Sequence, residues 1–440
     1  MRRIVSKLFL VLLVLALLRL TSQIHFAEAD SRTIVVPDDF QKIQEAINNA
    51  ADGDLIFVKS GVYAERLTVN ITISLLGESS GKVIVESGKG EDTILLQADN
   101  VSVSGFSIRN MDRSTSSFGM RLSNSSFCTI SNNIVSDTFA AVMIEGGSSN
   151  LVEHNYLENN RYGIFTRRYL HLCPSNSNVL VNNTIVNSTW NALELDWGEG
   201  NTVRNNNVFD NTAYALEIPI YAPSYNNVIF HNNFVGNAKA WGVTCQAYGP
   251  SPNRWDKDGD GNYWSDYTGI DVFGGPFQNT TGSDGIGDSP HISQEDTTDH
   301  YPLMGLYRAF EVGGEEVAVI CNSSLASLDF ASNGSRASVV AFVSQEEGSE
   351  GFCRFSLPIA LINGTYETRL DNQTVNYPTV TALVWPNATR ECLLVKYGEG
   401  EHSISIRGTT QVSEFPSLLM LAIFLVMACG FSLLFRRKRV

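Results

Sequence analysis

A short motif that recurs through the middle of the chain constrains the fold more than any other feature of the sequence. Each copy has an apolar residue three positions before an Asn and another apolar residue two positions after it. The five clear copies contain Asn133, Asn155, Asn183, Asn206 and Asn232, at steps of 22, 28, 23 and 26 residues. A unit of this size cannot bury its apolar side chains alone, so the copies must stack on one another. The repeat therefore predicts a solenoid.

A second unit lies between the Asn motifs and consists of Gly or Ala followed by two apolar residues with one residue between them. Its six copies begin at Gly119, Ala141, Gly163, Ala192, Ala215 and Gly242. Two short segments of period two in every repeat are typical of β-strands. We therefore expect coils of short parallel strands, stacked at about 4.8 Å per coil. The helical connectors of a leucine-rich horseshoe, the rival solenoid, are missing.

The Asn of each motif is expected at a corner of its coil. Corners need left-handed backbone conformations, which Asn tolerates better than most residues. Stacked side-chain amides can also hydrogen-bond along the solenoid axis. The sequence therefore predicts that the five Asn residues form one vertical file.

The segment before the repeats has the pattern of a cap. Residues 33–36 (TIVV) predict a strand, and residues 39–51 have apolar positions at helical spacing. Asp38 or Asp39 is expected to cap the N-terminus of this helix. An amphipathic helix over the open end of a solenoid would block edge-to-edge pairing with another chain.

These features together carry a family resemblance. The opening helix, the segment GDLIFVKSGVYAE at 53–65 and the Asn-anchored coils resemble the right-handed parallel β-helix proteins of the pectate-lyase-like superfamily. NosD-like periplasmic proteins, also described as carbohydrate-binding and sugar-hydrolysis repeats, are more similar still. The segments at 261–267, 284–288 and 301–304 look like the end of this domain in archaeal surface members. The resemblance covers residues 33–304 and implies a pectin-lyase-like solenoid at 30–304, but it is weak for chemistry.

Residues 305–410 change character to seven or eight short alternating runs separated by turn residues, which predicts a β-sandwich. The expected fold class is therefore all-β, a right-handed parallel β-helix followed by a sandwich.

The two ends of the chain predict export and anchoring. Residues 1–29 combine basic residues, an apolar run and an Ala-Glu-Ala site, as a signal peptide does. Residues 417–435 are uncharged and long enough for a transmembrane helix, which follows a linker at 411–416. The basic tail at 436–440 favours a cytoplasmic end, so the body should be extracellular and held in the membrane by its C-terminal helix.

Charge excludes one class of partner. Without residues 1–29 and the last four basic residues, the chain has 23 basic against 45 acidic residues. A body this acidic repels phosphate backbones, so nucleic acid is not an expected partner.

The repeat also predicts a candidate site. In the Gly/Ala unit the second and fourth residues after the Gly or Ala should point out of the coil. This places Glu194 above Glu217, with Asp196 beside them and Arg167 and Glu145 on the coils below. Carboxylates this close raise one another's pKa or recruit a cation. Two longer loops, 168–177 and 220–226, leave the same edge and could wall a cleft.

We interpret these five residues as a face that binds a polysaccharide or surface glycan. Two alternatives stay open. Glu194, Glu217 and Asp196 could be the catalytic residues of a polysaccharide lyase or glycoside hydrolase, with a spacing near that of retaining enzymes. The face could also be a solvated surface of a non-catalytic structural protein.

Asp256, Asp258 and Asp260 alternate before Gly261, like the first half of a calcium loop, and predict a calcium site. The alternative is an Asp/Gly turn that caps the solenoid, since position twelve of the loop is Tyr267 rather than Glu. A copper site is not expected, because His154 and His231 fall three coils apart and cannot share an ion.

Three cysteines, Cys321, Cys353 and Cys392, fall in the predicted sandwich. One disulfide among them is compatible with an exported protein, and the sequence leaves the pairing open.

Overall fold

The computed structural model describes residues 31–410 except 89, 91, 111–116, 171–172, 241, 250–251, 295–296, 313, 333–336, 376–378 and 381–388. The predicted signal peptide, linker, membrane helix and basic tail lie outside the described residues. Within the described part of the chain, no helix combines the length and the apolar character needed to cross a bilayer.

The first two thirds of the described chain form a solenoid of three parallel sheets. The first sheet contains, in chain order, Thr33–Val36, Leu55–Val58, Ser74–Gly77, Ser102–Ser104, Thr129–Ser131, Leu151–Glu153, Val179–Val181, Thr202–Arg204 and Val228–Phe230. The second sheet contains Leu67–Val69, Ile94–Leu96, Phe118–Ser123, Ala140–Glu145, Tyr162–Arg167, Leu193–Leu195, Leu216–Glu217 and Ala247–Tyr248. The third sheet contains Gly61–Ala64, Val83–Glu86, Ser107–Arg109, Ile134–Ser136, Tyr156–Glu158, Thr184–Val186, Asn207–Phe209, Asn233–Val235 and Tyr263–Trp264. The predicted parallel β-helix is confirmed.

Equivalent apolar residues stack in columns through the solenoid. In the first sheet Val103 pairs with Ile130, Ile130 with Val152, and Val152 with Leu180. All four are fully buried, and they belong to one hydrophobic cluster that runs through the coils. At about 25 cal/mol per Å² of apolar surface, each such side chain contributes roughly 2 kcal/mol of transfer free energy. The continuous column explains why single coils need their neighbours.

The motif asparagines form the predicted vertical file between the first and third sheets. The Nδ2 of Asn133 donates to Asn155 Oδ1 at 3.1 Å, Asn155 donates to Asn183 at 3.0 Å, and Asn183 donates to Asn206 at 3.0 Å. Asn206 continues the file to Asn232 at 2.9 Å. Each Oδ1 also accepts the backbone N–H of the Asn one coil earlier in the chain. These buried amides are therefore satisfied by the neighbouring coils.

The prediction of a left-handed backbone at these asparagines was wrong by one residue. Positive φ is found instead at the preceding residue of each motif, at Asn132, His154, Asn182, Asn205 and His231, with values of 54° to 57°. The preceding residue makes the corner, while the motif Asn is buried and bonds to its neighbours.

Two further asparagine files run along other corners. One is Asn150, Asn178, Asn201, Asn227 and Asn253, in which each Oδ1 accepts the backbone N–H of the previous member. The other contains Asn160, Asn211 and Asn237, with Thr138 and Ser188 at equivalent places. All three corners are therefore fixed by the same kind of interaction.

The N-terminal cap is shorter than predicted, since the helix covers only Ile43–Asn48. Neither Asp38 nor Asp39 caps it. Asp39 accepts the backbone N–H of Val35, and Asp38 pairs with Lys59. Glu65, from the first coil, accepts the N–H groups of Ile43 and Gln44 at 3.0 and 3.1 Å. A carboxylate brought in by the fold replaces the local cap.

The C-terminal end of the solenoid also differs from the prediction. The copy beginning at Gly242 is not a strand, and Ala247–Tyr248 completes the second sheet instead. Asn262 ends the motif file. Its backbone N–H donates to the buried carboxylate of Asp299 at 2.7 Å, and Trp264 Nε1 donates to the same Oδ2 at 2.8 Å. Two short hairpins, Phe273–Gly274 with Thr280–Thr281 and His291–Gln294 with Thr297–Asp299, surround this end.

Two antiparallel sheets follow the solenoid. One has the order Leu306–Val312, Glu315–Cys321, Gly351–Pro358, Arg390–Tyr397 and Thr379–Val380. The other has the order Ser324–Ser332, Ala337–Gln345, Gly400–Thr410, Asn363–Leu370 and Gln373–Val375. Buried residues of both sheets, such as Val319, Phe355, Val339 and Ile404, form one hydrophobic cluster.

Polar contacts join this antiparallel unit to the solenoid. Arg354 Nη1 donates to Asp260 Oδ1 at 2.8 Å, and the side chain of Asn233 bonds to both backbone groups of Tyr307. Burial disfavours the charged form of Asp260, but Arg354 and His231 outweigh it and hold the pKa of this carboxyl well below its usual range. A buried, paired charge fixes the two units against each other.

We predict that Asn206→Ala lowers the free energy of unfolding by about 3 kcal/mol, because it removes the hydrogen-bond partners of buried groups on the preceding coil, the Asn183 N–H and the Leu180 carbonyl. Chemical denaturation of the purified chain measures the change. Asn70→Ala, at an exposed Asn outside the files, serves as the control and should change stability by less than about 0.5 kcal/mol. Equal effects of the two substitutions would contradict the importance of the file.

Candidate functional site

The second sheet brings two predicted carboxylates into direct register on its outer face. Phe165, Glu194, Glu217 and Tyr248 are successive partners in this sheet. The copy that begins at Gly242 predicts Thr244 as the outward residue that pairs with Glu217. The final strand is shifted along the chain, so Tyr248 lies opposite Glu217 instead. Glu194 and Glu217 therefore lie one inter-strand spacing apart, about 4.8 Å between backbones.

Asn191 ties these two carboxylates together. Its Nδ2 donates to Glu194 Oε2 at 2.7 Å and to Glu217 Oε2 at 2.5 Å. Its Oδ1 accepts the backbone N–H of Tyr214, so the amide is held by the next coil. The Asn side chain is fully buried and thus fixes the geometry of the pair.

Burial and mutual repulsion change the acidity of this cluster. Burial, then the charge of Asp196, raises the pKa of Glu194 to about 8. Burial and the nearby Glu217 raise the pKa of Asp196 to about 7. Burial also raises the pKa of Glu217, although the hydrogen bond from Asn191 opposes it. Near neutral pH the cluster therefore shares protons between its carboxyl groups.

One oxygen of the cluster has no partner within the described residues. Asp196 is only 8% exposed, and its buried Oδ1 has no hydrogen bond among them. An unsatisfied buried carboxylate oxygen costs free energy unless a ligand or solvent pairs with it. We call Glu194, Asp196, Glu217 and Asn191 the acidic cluster.

The other two predicted residues form a separate, paired group. Arg167 donates to Glu145 at 2.7 and 3.0 Å, and Arg121 lies between Glu145 and the buried Asp92, 2.8 Å from the latter. Burial raises the pKa of Asp92, although Arg121 opposes this effect. The charge of Arg167 partly opposes the rise in the pKa of Asp196, and this interaction links the two groups. The structure therefore divides the five predicted residues into an ion-paired network and an acidic cluster with spare acceptor capacity.

Exposed apolar side chains lie on the loops that leave this edge. Leu170 and Ile220 are each 67% exposed, and Tyr221 is 70% exposed. Burial and the charges of the acidic cluster raise the pKa of Tyr221 to about 12, so its phenol lies within their field. Arg168 stacks on the ring of Trp197, with its Cζ 3.9 Å from the ring centroid. Exposed side chains of this kind beside carboxylates are typical of ligand sites.

Other aromatic residues of the face serve packing. Phe118, Phe139, Tyr162 and Phe165 form a small cluster with ring centroids 5.1 to 5.6 Å apart. Phe118 and Tyr162 are almost fully buried. The rings of Phe118 and Tyr162 are therefore not available to stack on a ligand.

Three residues that contact or influence the site were not predicted from the sequence: Asn191, Asp92 and Tyr221. Asn191 directly precedes the Ala192 unit, and its carboxylate partners are three residues and one coil away, so the repeat alignment contains a signal for it. Asp92 precedes a strand that the Gly/Ala pattern does not include. Tyr221 has no local signal, because it lies in a loop of irregular length.

Two of the three aspartates in the predicted calcium loop form ion pairs with other side chains. Asp260 pairs with Arg354 and His231, and Asp256 accepts from His300 Nδ1 at 3.0 Å. Asp258 is exposed and has positive φ. In the described ranges, no group of three or more His, Cys, Asp or Glu side chains is arranged to hold a metal ion.

A concave surface lies on the antiparallel unit, beside Phe342, Asp371, Glu401 and His402. Two of its charged groups satisfy each other, since His402 Nδ1 pairs with Asp371 at 2.8 Å. The acidic cluster has a buried oxygen with no partner among the described residues, so we place the candidate site on the solenoid.

Comparison with known proteins identifies relatives of the solenoid. The family model described as periplasmic copper-binding protein (NosD) matches residues 47–269, half of the chain. A cell surface glycoprotein of Methanothermus fervidus is 29% identical over 225 residues, which cover 49% of this chain. The chain spans only 36% of the length of that relative.

Solved structures are similar to this chain only at a low level. A pectin methylesterase in complex with a hexasaccharide has a TM-score of 0.33 at 15% identity, over 49% of this chain and 80% of its own. The tailspike gp49 of Acinetobacter baumannii bacteriophage Fri1, a capsular polysaccharide depolymerase, has a TM-score of 0.27 at 11% identity, over 86% and 84%. Similarity at this level does not assign an activity to the chain.

The copper in the family description does not fit the described residues. His154 contacts Asn182 and Glu153, while His231 contacts Asp260, so the two histidines occupy separate coils and have separate partners. Both stand at the left-handed corner position that Asn fills in other coils.

We predict that the acidic cluster makes the chain less stable as pH rises. At pH 5 the folded chain keeps protons on Glu194 and Asp196 that the unfolded chain has largely lost, so stability falls between about pH 4 and pH 8. Glu194→Gln with Asp196→Asn should reduce this fall by about 2–4 kcal/mol in denaturation at pH 5 and pH 8. Glu158→Gln, on the third sheet, is the control and should leave the pH dependence unchanged. A double variant that keeps the full dependence would show that these groups titrate normally.

Proposed function

We propose that this chain, which belongs to the NosD family, is an exported surface protein that binds carbohydrate through the acidic cluster on the outer face of its solenoid. The observation that carries the proposal is the buried Oδ1 of Asp196, which has no hydrogen-bond partner among the described residues, beside two carboxyl groups that share one amide donor. Copper has no role in this proposal.

Export and surface location rest on two supports. The relative in Methanothermus fervidus is named as a cell surface glycoprotein. The sequence predicts a signal peptide at 1–29 and a membrane helix at 417–435. In this proposal the solenoid has the right-handed winding of its superfamily. The two antiparallel sheets act as a β-sandwich stalk that holds the solenoid above the membrane.

A saccharide suits the chemistry of the cluster. A protonated Glu194 donates a hydrogen bond to a sugar oxygen, whereas Glu217 and Asp196 accept from hydroxyl groups. Tyr221 offers an exposed aromatic ring, and rings of this kind pair an apolar face with a polar tip. Sugars present the same combination of hydroxyl edges and C–H faces. The ligand is therefore expected to contact both the carboxyl groups and this rim.

Catalysis is the second candidate function, and a specific observation favours it. Burial raises the pKa of Glu194 to about 8 and also raises the pKa of Glu217, and the two carboxyl groups share one amide donor. Retaining glycosidases place an acid and a nucleophilic carboxylate about 5 Å apart. Glu194 would give its proton to the leaving glycosidic oxygen. A polysaccharide lyase acting at the same face would need one carboxylate to remove a proton from the sugar while a second carboxyl group donates a proton to the leaving glycosidic oxygen.

A glycan array with the full chain in detergent tests binding. We expect retention of an acidic or neutral polysaccharide fragment, and Glu194→Gln with Glu217→Gln should weaken binding at least about tenfold, since the loss of one hydrogen bond to the charged Glu217 is worth roughly 1.5–3 kcal/mol. Glu158→Gln is the matched control on another sheet and should bind normally.

The same hit separates the candidate functions. Release of new reducing ends or of unsaturated sugar products would establish catalysis, and binding without product would establish a binding module. Absence of binding across the array, or equal binding by the double variant and the chain itself, would contradict the carbohydrate face and leave a structural role.

Calcium binding at Asp256, Asp258 and Asp260 remains a proposal, and Asp258 is the most accessible of the three. Titration calorimetry of the metal-free chain with Ca²⁺ should give heat that Asp258→Asn reduces, since each carboxylate contributes charge to such a site. Asp210→Asn, at an exposed carboxylate of the third sheet, is the control. No heat and no rise in thermal midpoint with Ca²⁺ would refute the site.

A further inference from the structure

We infer that Cys321 and Cys353 are joined by a disulfide bond in the exported protein. They are on neighbouring antiparallel strands of the first antiparallel sheet, Glu315–Cys321 and Gly351–Pro358, and are direct partners in its register. Their sulfur atoms are 2.7 Å apart. Both side chains are buried in the core of the antiparallel unit.

Strand geometry places these residues within the range of a disulfide. Residues directly opposite in an antiparallel pair have Cα atoms about 4.5–5.5 Å apart. Disulfides connect residues whose Cα atoms are about 4.4–6.8 Å apart. Bond formation therefore requires small side-chain rotations and no movement of the strands.

The structure also excludes the third cysteine of this unit. Cys392 is opposite Ser356 in the register, whereas Cys353 and Phe355 alternate with Arg354 and Ser356 along their strand. Cys353 and Phe355 point into the core shared by the two sheets, so Cys392 lies on the other face. There its sulfur accepts from Arg354 Nη2 at 3.8 Å. The choice that the sequence left open becomes a single pairing.

The reaction needs a disulfide oxidant from outside the molecule. One cysteine thiolate attacks the oxidant's disulfide and expels a thiolate, and the second cysteine then attacks the mixed disulfide. One S–S bond forms and one breaks, two electrons pass to the oxidant, and the two thiol protons go to its two sulfurs. The Tyr397 hydroxyl lies 3.4 and 3.3 Å from the two sulfurs and donates its own proton to Ser323 Oγ at 2.8 Å.

The bond would close a loop that contains two strands of the other antiparallel sheet. Cys321 and Cys353 are 32 positions apart, and the segment between them contains Ser324–Ser332 and Ala337–Gln345 of the other sheet. The residue after Cys353 is Arg354, which pairs with Asp260 of the solenoid. A bond at this position therefore fixes the strand through which the two units contact each other.

Peptide mapping of the full chain, alkylated as it is isolated from an exporting host, tests the pairing. We expect one linked peptide pair that contains Cys321 and Cys353, with Cys392 alkylated. Reduction should lower the thermal midpoint of the antiparallel unit by roughly 10 °C or more. The double variant Cys321→Ala/Cys353→Ala should show no such drop when it is reduced. Cys392→Ala is the control, and it should retain the sensitivity to reduction.

Two results would overturn the inference. A linked peptide that contains Cys392, or both core cysteines alkylated in the exported chain, removes the bond. The inference depends on the export in the proposed function, so the reduced chain is also treated with oxidised glutathione. If the pair closes there but not in the cell, export has failed. If it closes in neither case, the geometry has failed, and glycan binding is unaffected by that result.

Discussion

The hydrogen bond from one asparagine side chain to the next is the interaction on which the rest of this structure depends. Apolar columns favour stacking but do not fix which residue lies above which, since burial has no direction. A buried amide does, because an unpaired donor or acceptor costs more than a paired one gains. In the motif file each Oδ1 takes both the amide and the backbone N–H of the adjacent coil. Three such files fix the register at all three corners.

The outer face inherits this register. Glu194 and Glu217 are in contact with one amide only because coils of different length close at the same corner, with the extra residues expelled into loops. The fold thus holds together carboxyl groups that would separate in a flexible chain. It places them where burial disfavours their charge. The neighbouring Glu145 and Arg167 pair, in contrast, balances its own charges.

The repeat predicted the architecture, the motif file and the acidic pair, because period-two strands and stacked positions follow from spacing alone. Features that depend on loops or on non-local contacts were not predictable in this way. Glu65 caps a helix some twenty residues before it, and Tyr221 reaches the cluster from an irregular loop. The final strand, at Ala247–Tyr248, departs from the spacing of the earlier coils. The left-handed corner was missed by one residue because two side chains at the turn, Asn132 and Asn133 for example, suit it equally well.

The file of amides ends on a carboxylate, and this has a consequence for how such proteins change in length. Asp299 accepts from Asn262 and Trp264 at the last coil, so the final donor is satisfied without a further coil. A terminus that supplies its own acceptor does not depend on how many units precede it. Whole coils can thus be gained or lost by duplication within a gene while both closures stay intact. The length of the solenoid can then vary independently of the structures that close its two ends.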